Sequence, residues 1–172
     1  MAKISAYMMC GLNGEISRNG PLVQFKEMDI HFRKTTEKKS ILMGSKTFES
    51  CKIPLKGRTV FVLSSQNKTF KDATLVHTVD EFLELTKDED EIIICGGAKV
   101  YELTKLLWEQ VYFNVINMGF HDADNYFRSY TSKWDDGVAP TIIEGKNGLY
   151  AKCHIFNQYV PEVGLTMGDR YE

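Results

Sequence analysis

Residues 91–102 read EIIICGGAKVYE. Glu91 to Cys95 is a short apolar run rich in β-branched isoleucine, the pattern of a buried strand. Gly96 and Gly97 end it, and Val100 to Trp108 then carries the apolar spacing of a helix. The same order occurs upstream in ILMGSKTFES, residues 41–50. There Ser40 to Met43 reads as a strand, Gly44 follows, and Ser45 to Cys51 reads as a short helix stopped near Pro54. Repeated strand–turn–helix units predict an α/β fold, with a mostly parallel sheet and helices on both faces.

The flanking text extends this pattern. Ile4 to Cys10 is a strand, and Gly11 to Gln24, rich in glycine and asparagine, is a loop. Phe25 to Lys38 is a helix with Phe25, Met28 and Phe32 on one side. Thr59 to Leu63 and Thr74 to Val76 are strands. Thr78-Val79-Asp80-Glu81 is a capping box ahead of a helix through Phe82, Leu83 and Leu85. Val111 to Met118 is a long strand. Thr141 to Glu144 and Leu149 to Val160 flank Asn147-Gly148, a hairpin turn that needs positive φ at both positions. An antiparallel hairpin can join a parallel sheet only at its edge. Residues 1–160 read as one domain, and the polar stretch from Pro161 to Glu172 reads as a loose tail.

Composition narrows the class. A chain of 172 residues with 43% apolar and 26% charged residues builds one well-buried core. A net charge of −2 gives no broad reason to bind nucleic acid or an anionic membrane. No apolar run approaches the roughly 18–20 residues that span a bilayer, and the N-terminus lacks the pattern of a signal peptide. The expectation is a cytoplasmic protein. The four cysteines are scattered, without metal-ligand spacing. Cys10, Cys95 and Cys153 lie in strand text and read as reduced core residues.

Three stretches could carry chemistry. The glycine turn at Gly96-Gly97 lets backbone approach a ligand and aims amide groups at an anion, or serves only close packing. Ser45, Lys46 and Thr47 after Gly44 form a second anion cradle, unless Ser45 merely caps its helix. Two such cradles on parallel strands suggest a dinucleotide at the C-terminal strand ends. In PLKGRTVFVLSSQ, residues 54–66, Arg58 could clamp a carboxylate bidentately. Ser64, Ser65 and Gln66 could hold a nucleotide's polar edge. Read singly, each of these also fits a structural role.

Together, in this order and spacing, these stretches resemble the dihydrofolate reductase family from about Ile4 to about Gln158. The resemblance implies a twisted, mainly parallel eight-stranded sheet with four helices and a C-terminal antiparallel hairpin. It also implies NADPH as hydride donor, dihydrofolate as the small-molecule substrate, and a monomer. The Gly96–Gly97 peptide would be cis. Gly44, Ser45, Lys46 and Thr47 would meet one side of the cofactor phosphates, and Gly97, Ala98, Lys99 and Val100 the other. Ser65 and Gln66 would lie at the adenosine end, beside Ser64. Met9 and Ile16 would border the nicotinamide, and Tyr101 would lie beside the nicotinamide and pterin. Tyr7, Phe32 and Cys95 join the substrate-binding set. Arg58 would hold the α-carboxylate of the glutamyl tail, and Asp124 would steady the loop over the site. Many members carry arginine where Ser45 stands, which leaves Lys46, Ser65 and Lys99 for a 2′-phosphate.

The first helix departs from the family pattern. Members carry an acidic residue four positions before a phenylalanine, and here that position, counted from Phe32, is Met28. Without a local shift in the helix Met28 faces the pterin. A one-residue shift would put Asp29 there instead. The catalytic candidate is Asp29, the alternatives being Glu27 and no acid at all. Asn114 stands where threonine usually backs the acid. The GLNGEIS stretch, residues 11–17, also resembles the pyrimidine reductases of riboflavin synthesis. Three functions stay open: dihydrofolate reduction, reduction of another pterin or a pyrimidine on the same fold, and cofactor binding without turnover.

Overall fold

The computed structural model describes residues 1–127 and 139–157. Its strands are β1 (Lys3–Cys10), β2 (Glu15–Ser17), β3 (Ser40–Gly44), β4 (Thr59–Leu63), β5 (Thr74–Val76), β6 (Glu91–Ile94), β7 (Gln110–Ile116), β8 (Asn125–Tyr126), β9 (Thr141–Glu144) and β10 (Tyr150–Asn157). Its helices are α1 (Lys26–Thr36), α2 (Ser45–Ser50), α3 (Val79–Leu85) and α4 (Ala98–Thr104). Eight strands form one sheet in the order β5-β4-β3-β6-β1-β7-β10-β9. The pairings from β5 across to β7 are parallel, and only β10 runs antiparallel to its neighbours β7 and β9. The hairpin therefore joins at the edge, as its sequence required.

Strand alternation sorts the core into two faces. On one face Ile4, Ala6, Met8, Leu42, Phe61, Ile92, Ile94, Val111 and Phe113 pack with Phe82 of α3 and with Val100 and Tyr101 of α4. On the other, Tyr7, Ile41, Met43, Val60 and Ile93 pack under Phe32 of α1. Further along that face Met28 packs with Leu22, Phe25, Ile116, Ala151 and Cys153. The central strands are buried on both sides, which is why their sequences are continuously apolar.

Several local expectations differ in detail. The helix expected to run to Trp108 ends at Thr104, continues as a 3₁₀ turn over Lys105–Leu107, and stops before an extended Trp108. The Thr78 hydroxyl accepts from the Glu81 amide at 3.0 Å, but the Glu81 carboxylate reaches back to the His77 amide at 2.8 Å, one residue beyond the usual box. Asn147 and Gly148 both take positive φ, 57° and 76°. The loop from Gly11 to Gln24 contains the short strand β2, which pairs with β8 in a second, two-stranded sheet. The last residues of the expected terminal strand and the tail from Pro161 lie outside the described residues.

Candidate active site

The two glycine turns meet at the C-terminal ends of β3 and β6. The Cys95 amide donates to Leu42 O at 2.8 Å, and the Gly44 amide donates to Gly96 O at 2.8 Å. The Gly96–Gly97 peptide is cis. A Cβ on Gly97 would lie 3.0 Å from Thr47 Oγ1, and one on Gly44 would lie 3.3 Å from Val100 Cγ2. Neither α2 nor α4 has a side-chain cap: the N-caps are Gly44 and Gly97. Ser45 is therefore the first residue of its helix and not its cap. The leading amides of both helices are left for an outside acceptor. Ser45, Thr47, Gly97 and Ala98 are half-buried around this junction, and Lys46 and Lys99 are exposed beside it. Beyond β4, Ser64 Oγ accepts from the Gln66 amide at 3.2 Å, and Ser65 and Gln66 are exposed.

Tyr101 joins this region to the rest of the cleft. Its hydroxyl donates to Tyr7 O at 2.6 Å, and its ring lies so close to Gly96 that a Cβ there would stand 2.9 Å from the hydroxyl oxygen. Trp108 and Phe127 pack edge-on against the same ring, with centroids 5.7 Å away. Burial pushes the Tyr101 hydroxyl well above its ordinary pKa, so it remains a neutral donor.

Helix α1 packs on the sheet face that carries Tyr7. Tyr7 packs edge-to-face with Phe32 at 5.1 Å, and its hydroxyl lies 2.7 Å from His31 Nδ1. Burial, reinforced by Lys34, lowers the His31 pKa, which favours a neutral ring beside Tyr7. Phe48, Cys51, Ile53, Leu55 and Cys95 pack against the same core. The Cys95 thiol is driven up by burial. Its side chain is partly buried against that core.

Helix α1 runs without the one-residue shift. Met28 and Phe32, four apart, share the buried stripe, and Met28 Sδ lies 3.8 Å from Cys153 Sγ. Asp29 stands about 100° further round, half-buried, within electrostatic reach of Cys51 and Tyr7. Burial and then Glu27 raise its pKa above the usual carboxylate value. Asp29 and Met28 thus occupy different positions: Asp29 is half-buried on the helix flank and the thioether lies in the core. Glu27, beside Gly145, lies on the opposite flank of the helix.

Arg58 is held in place at the entrance to β4. Its Nε donates to Thr36 Oγ1 at 2.7 Å, Nη1 to Lys56 O at 2.7 Å, and Nη2 to Arg33 O. A guanidinium has five N–H donors, so one remains on each terminal nitrogen, the arrangement that grips a carboxylate.

Met9 and Asn114 are register partners on β1 and β7. Ile16, half-buried on β2, packs against the core beside β1. Asp124 takes Ser17 Oγ at 2.6 Å and the Asn19 amide at 2.7 Å, and these bonds lower its pKa. It therefore ties the glycine-rich loop to the β8 segment. The sequence reading missed His31 and Thr36. They belong to no motif; only the helical register of α1 places them here.

Comparison with known proteins points to one family. The family model for dihydrofolate reductase matches residues 3–156. A dihydrofolate reductase from Mycoplasma genitalium is 33% identical over 129 residues, covering 70% of this chain and 80% of that one. One from Ureaplasma parvum is 34% identical, covering 68% and 76%. One from Buchnera aphidicola is 31% identical over 160 residues, covering 88% and 96%.

Proposed function

The chain belongs to the dihydrofolate reductase family, and we propose that it reduces 7,8-dihydrofolate to 5,6,7,8-tetrahydrofolate with NADPH, as a cytoplasmic monomer. The observation that carries the substrate assignment is Arg58, with two N–H groups left after three protein acceptors have fixed it. From β4, which follows Arg58, to β7 is four strand steps across β3, β6 and β1. At about 4.8 Å per step this is roughly 19 Å. A pteridine joined through an aminobenzoyl group to glutamate is long enough to lie across it.

The touching glycine turns fit a dinucleotide, because side chains on Gly44 or Gly97 would close the junction. Gly44, Ser45, Lys46 and Thr47 hold the pyrophosphate from one side, and Gly96, Gly97, Ala98, Lys99 and Val100 from the other. Ser64, Ser65 and Gln66 meet the adenosine end. Met9, Ile16 and Tyr101 wall the nicotinamide. Held there, NADPH would supply hydride chemistry to the ring. Tyr7, Met28, Phe32, Cys95 and Asn114 enclose the ring and exclude water. Asp29 holds the proton destined for N5, and its raised pKa keeps a larger protonated fraction near neutrality.

The test is NADPH oxidation by the purified protein with dihydrofolate, with and without methotrexate. Methotrexate-sensitive turnover, falling about 100-fold in Asp29→Asn, is expected. Turnover unaffected by that substitution removes Asp29 from the mechanism. Met28 in the buried stripe favours a second reading, the same reaction type on another pterin or a pyrimidine. NADPH binding without dihydrofolate turnover would move the assignment there, or to a protein that binds cofactor without turnover.

A further inference from the structure

We infer that the side-chain carbonyl of Asn114 accepts the hydrogen bond of the pteridine's exocyclic 2-amino group, the role being specific to an uncharged ring. The inference rests on the dihydrofolate reading and assigns an atom to the deep end of that site.

Asn114 is fully buried in the middle of β7. Its Nδ2 donates to Met8 O at 2.9 Å and to Tyr112 O at 3.3 Å. Both partners are carbonyls, so the amide has only one orientation and Oδ1 must be its other atom. That Oδ1 has no hydrogen-bond partner, and it is the sole buried side-chain polar atom in this state among the described residues. Buried acceptors without donors are uncommon and costly, so this one calls for a donor.

Its position says which donor. Asn114 pairs in register with Met9 on β1 and with Cys153 on β10. By alternation it lies on the sheet face covered by α1, the face of Tyr7. The glutamyl tail, held at Arg58, joins the pteridine at C6. C2 is at the opposite end of the bicycle, so its amino group is the ring substituent carried furthest toward β7.

The register partners of Asn114, Met9 and Cys153, are uncharged side chains. Met28 stands in the helix stripe beside Cys153, its Sδ 3.8 Å from that thiol, and Asp29 is turned away around the helix. A neutral amide oxygen accepts an N–H without demanding a positive ring. The apolar cover over this end includes Met28, an unbranched side chain with three rotatable bonds, able to move aside for a ligand.

The experiment measures binding of folate and of its 2-desamino-2-methyl analogue to the whole protein by tryptophan fluorescence. Folate should bind at least about tenfold more tightly, the usual size of one hydrogen bond to an otherwise unpaired buried group. In Asn114→Leu the ratio should collapse to within about twofold. A ratio unchanged in the variant overturns the assignment. Should the variant fail to fold, the Asn114 Cγ resonance of isotope-labelled wild-type protein decides. It should shift with folate and not with the methyl analogue, and an equal response to both overturns the assignment. Dihydrofolate turnover with an unchanged ratio removes only the role of Asn114. Absence of both turnover and folate binding removes the dihydrofolate reading with it.

Discussion

Arg58 is fixed before any ligand arrives. Thr36 and the carbonyls of Arg33 and Lys56 hold three of its donors, so little side-chain entropy is lost when a carboxylate binds. Arg58→Ala should therefore raise the Michaelis constant for dihydrofolate about 10- to 100-fold, the range for a charged hydrogen bond. The turnover number should stay within about threefold, because the clamp is remote from the reacting atoms. Steady-state kinetics check this, and an equal fall in turnover number would contradict a tail clamp. Arg58 was legible because its residue type and position before a strand carry chemistry. His31 was not legible, since its pairing with Tyr7 depends on two elements 24 residues apart in sequence. Asp29 and Met28 were left ambiguous by spacing alone; the unbroken helix puts Met28, not Asp29, in its buried stripe.

At the scale of elements, the turn between β6 and α4 is constrained both by its backbone and by a neighbouring side chain. Gly96 takes φ of +102°, and an added Cβ would meet the Tyr101 ring at 2.9–3.1 Å. Gly96→Ala should cost more than about 1 kcal/mol of stability, since alanine at positive φ is strained even without a neighbour. It should also weaken NADPH binding, because Tyr101 must give way at the junction of the two halves. Thermal unfolding and cofactor titration measure both, and a variant of wild-type stability would show that the ring relaxes freely. The main strands and helices were readable from apolar runs, helical spacing and turn residues. The pair β2–β8 was not, because two or three residues cannot display a period of two. The end of α4 was also misplaced: apolar residues continue at Leu106, Leu107 and Trp108, although the regular helix has stopped.

The whole sheet is tied along the end away from the cleft by Glu91. Its carboxylate meets Lys39 Nζ at 2.7 Å, just ahead of β3, and Ser5 Oγ at 2.6 Å on β1. Tyr112 of β7 approaches at 3.4 Å. Burial alone would raise the Glu91 pKa, but the bonds from Lys39 and Ser5 outweigh it and the net shift is downward. A depressed native pKa gives stability that is present above the unfolded value and is lost as pH falls through the native one. Glu91→Gln should thus lower the melting temperature at pH 7. The difference from wild type should shrink on acidification and vanish below the native pKa. A difference independent of pH would mean that packing, not charge, is what the substitution removes. The parallel sheet and edge hairpin were predictable from element order. The strand order was not, because β3 and β4 lie on one side of β6 and β1 on the other through contacts that no local pattern encodes.

The hydrogen bond from Gly44 to Gly96 O joins the two turns into a single rigid dock. Its spacing is set at folding and does not depend on the residues of α1. Met28 and Asp29 lie on that helix, and Asn114 lies two strands beyond β6. A substitution on α1 or at Asn114 therefore leaves the contact between the two glycine turns in place, so what lies against α1 can change independently of what lies against the turns.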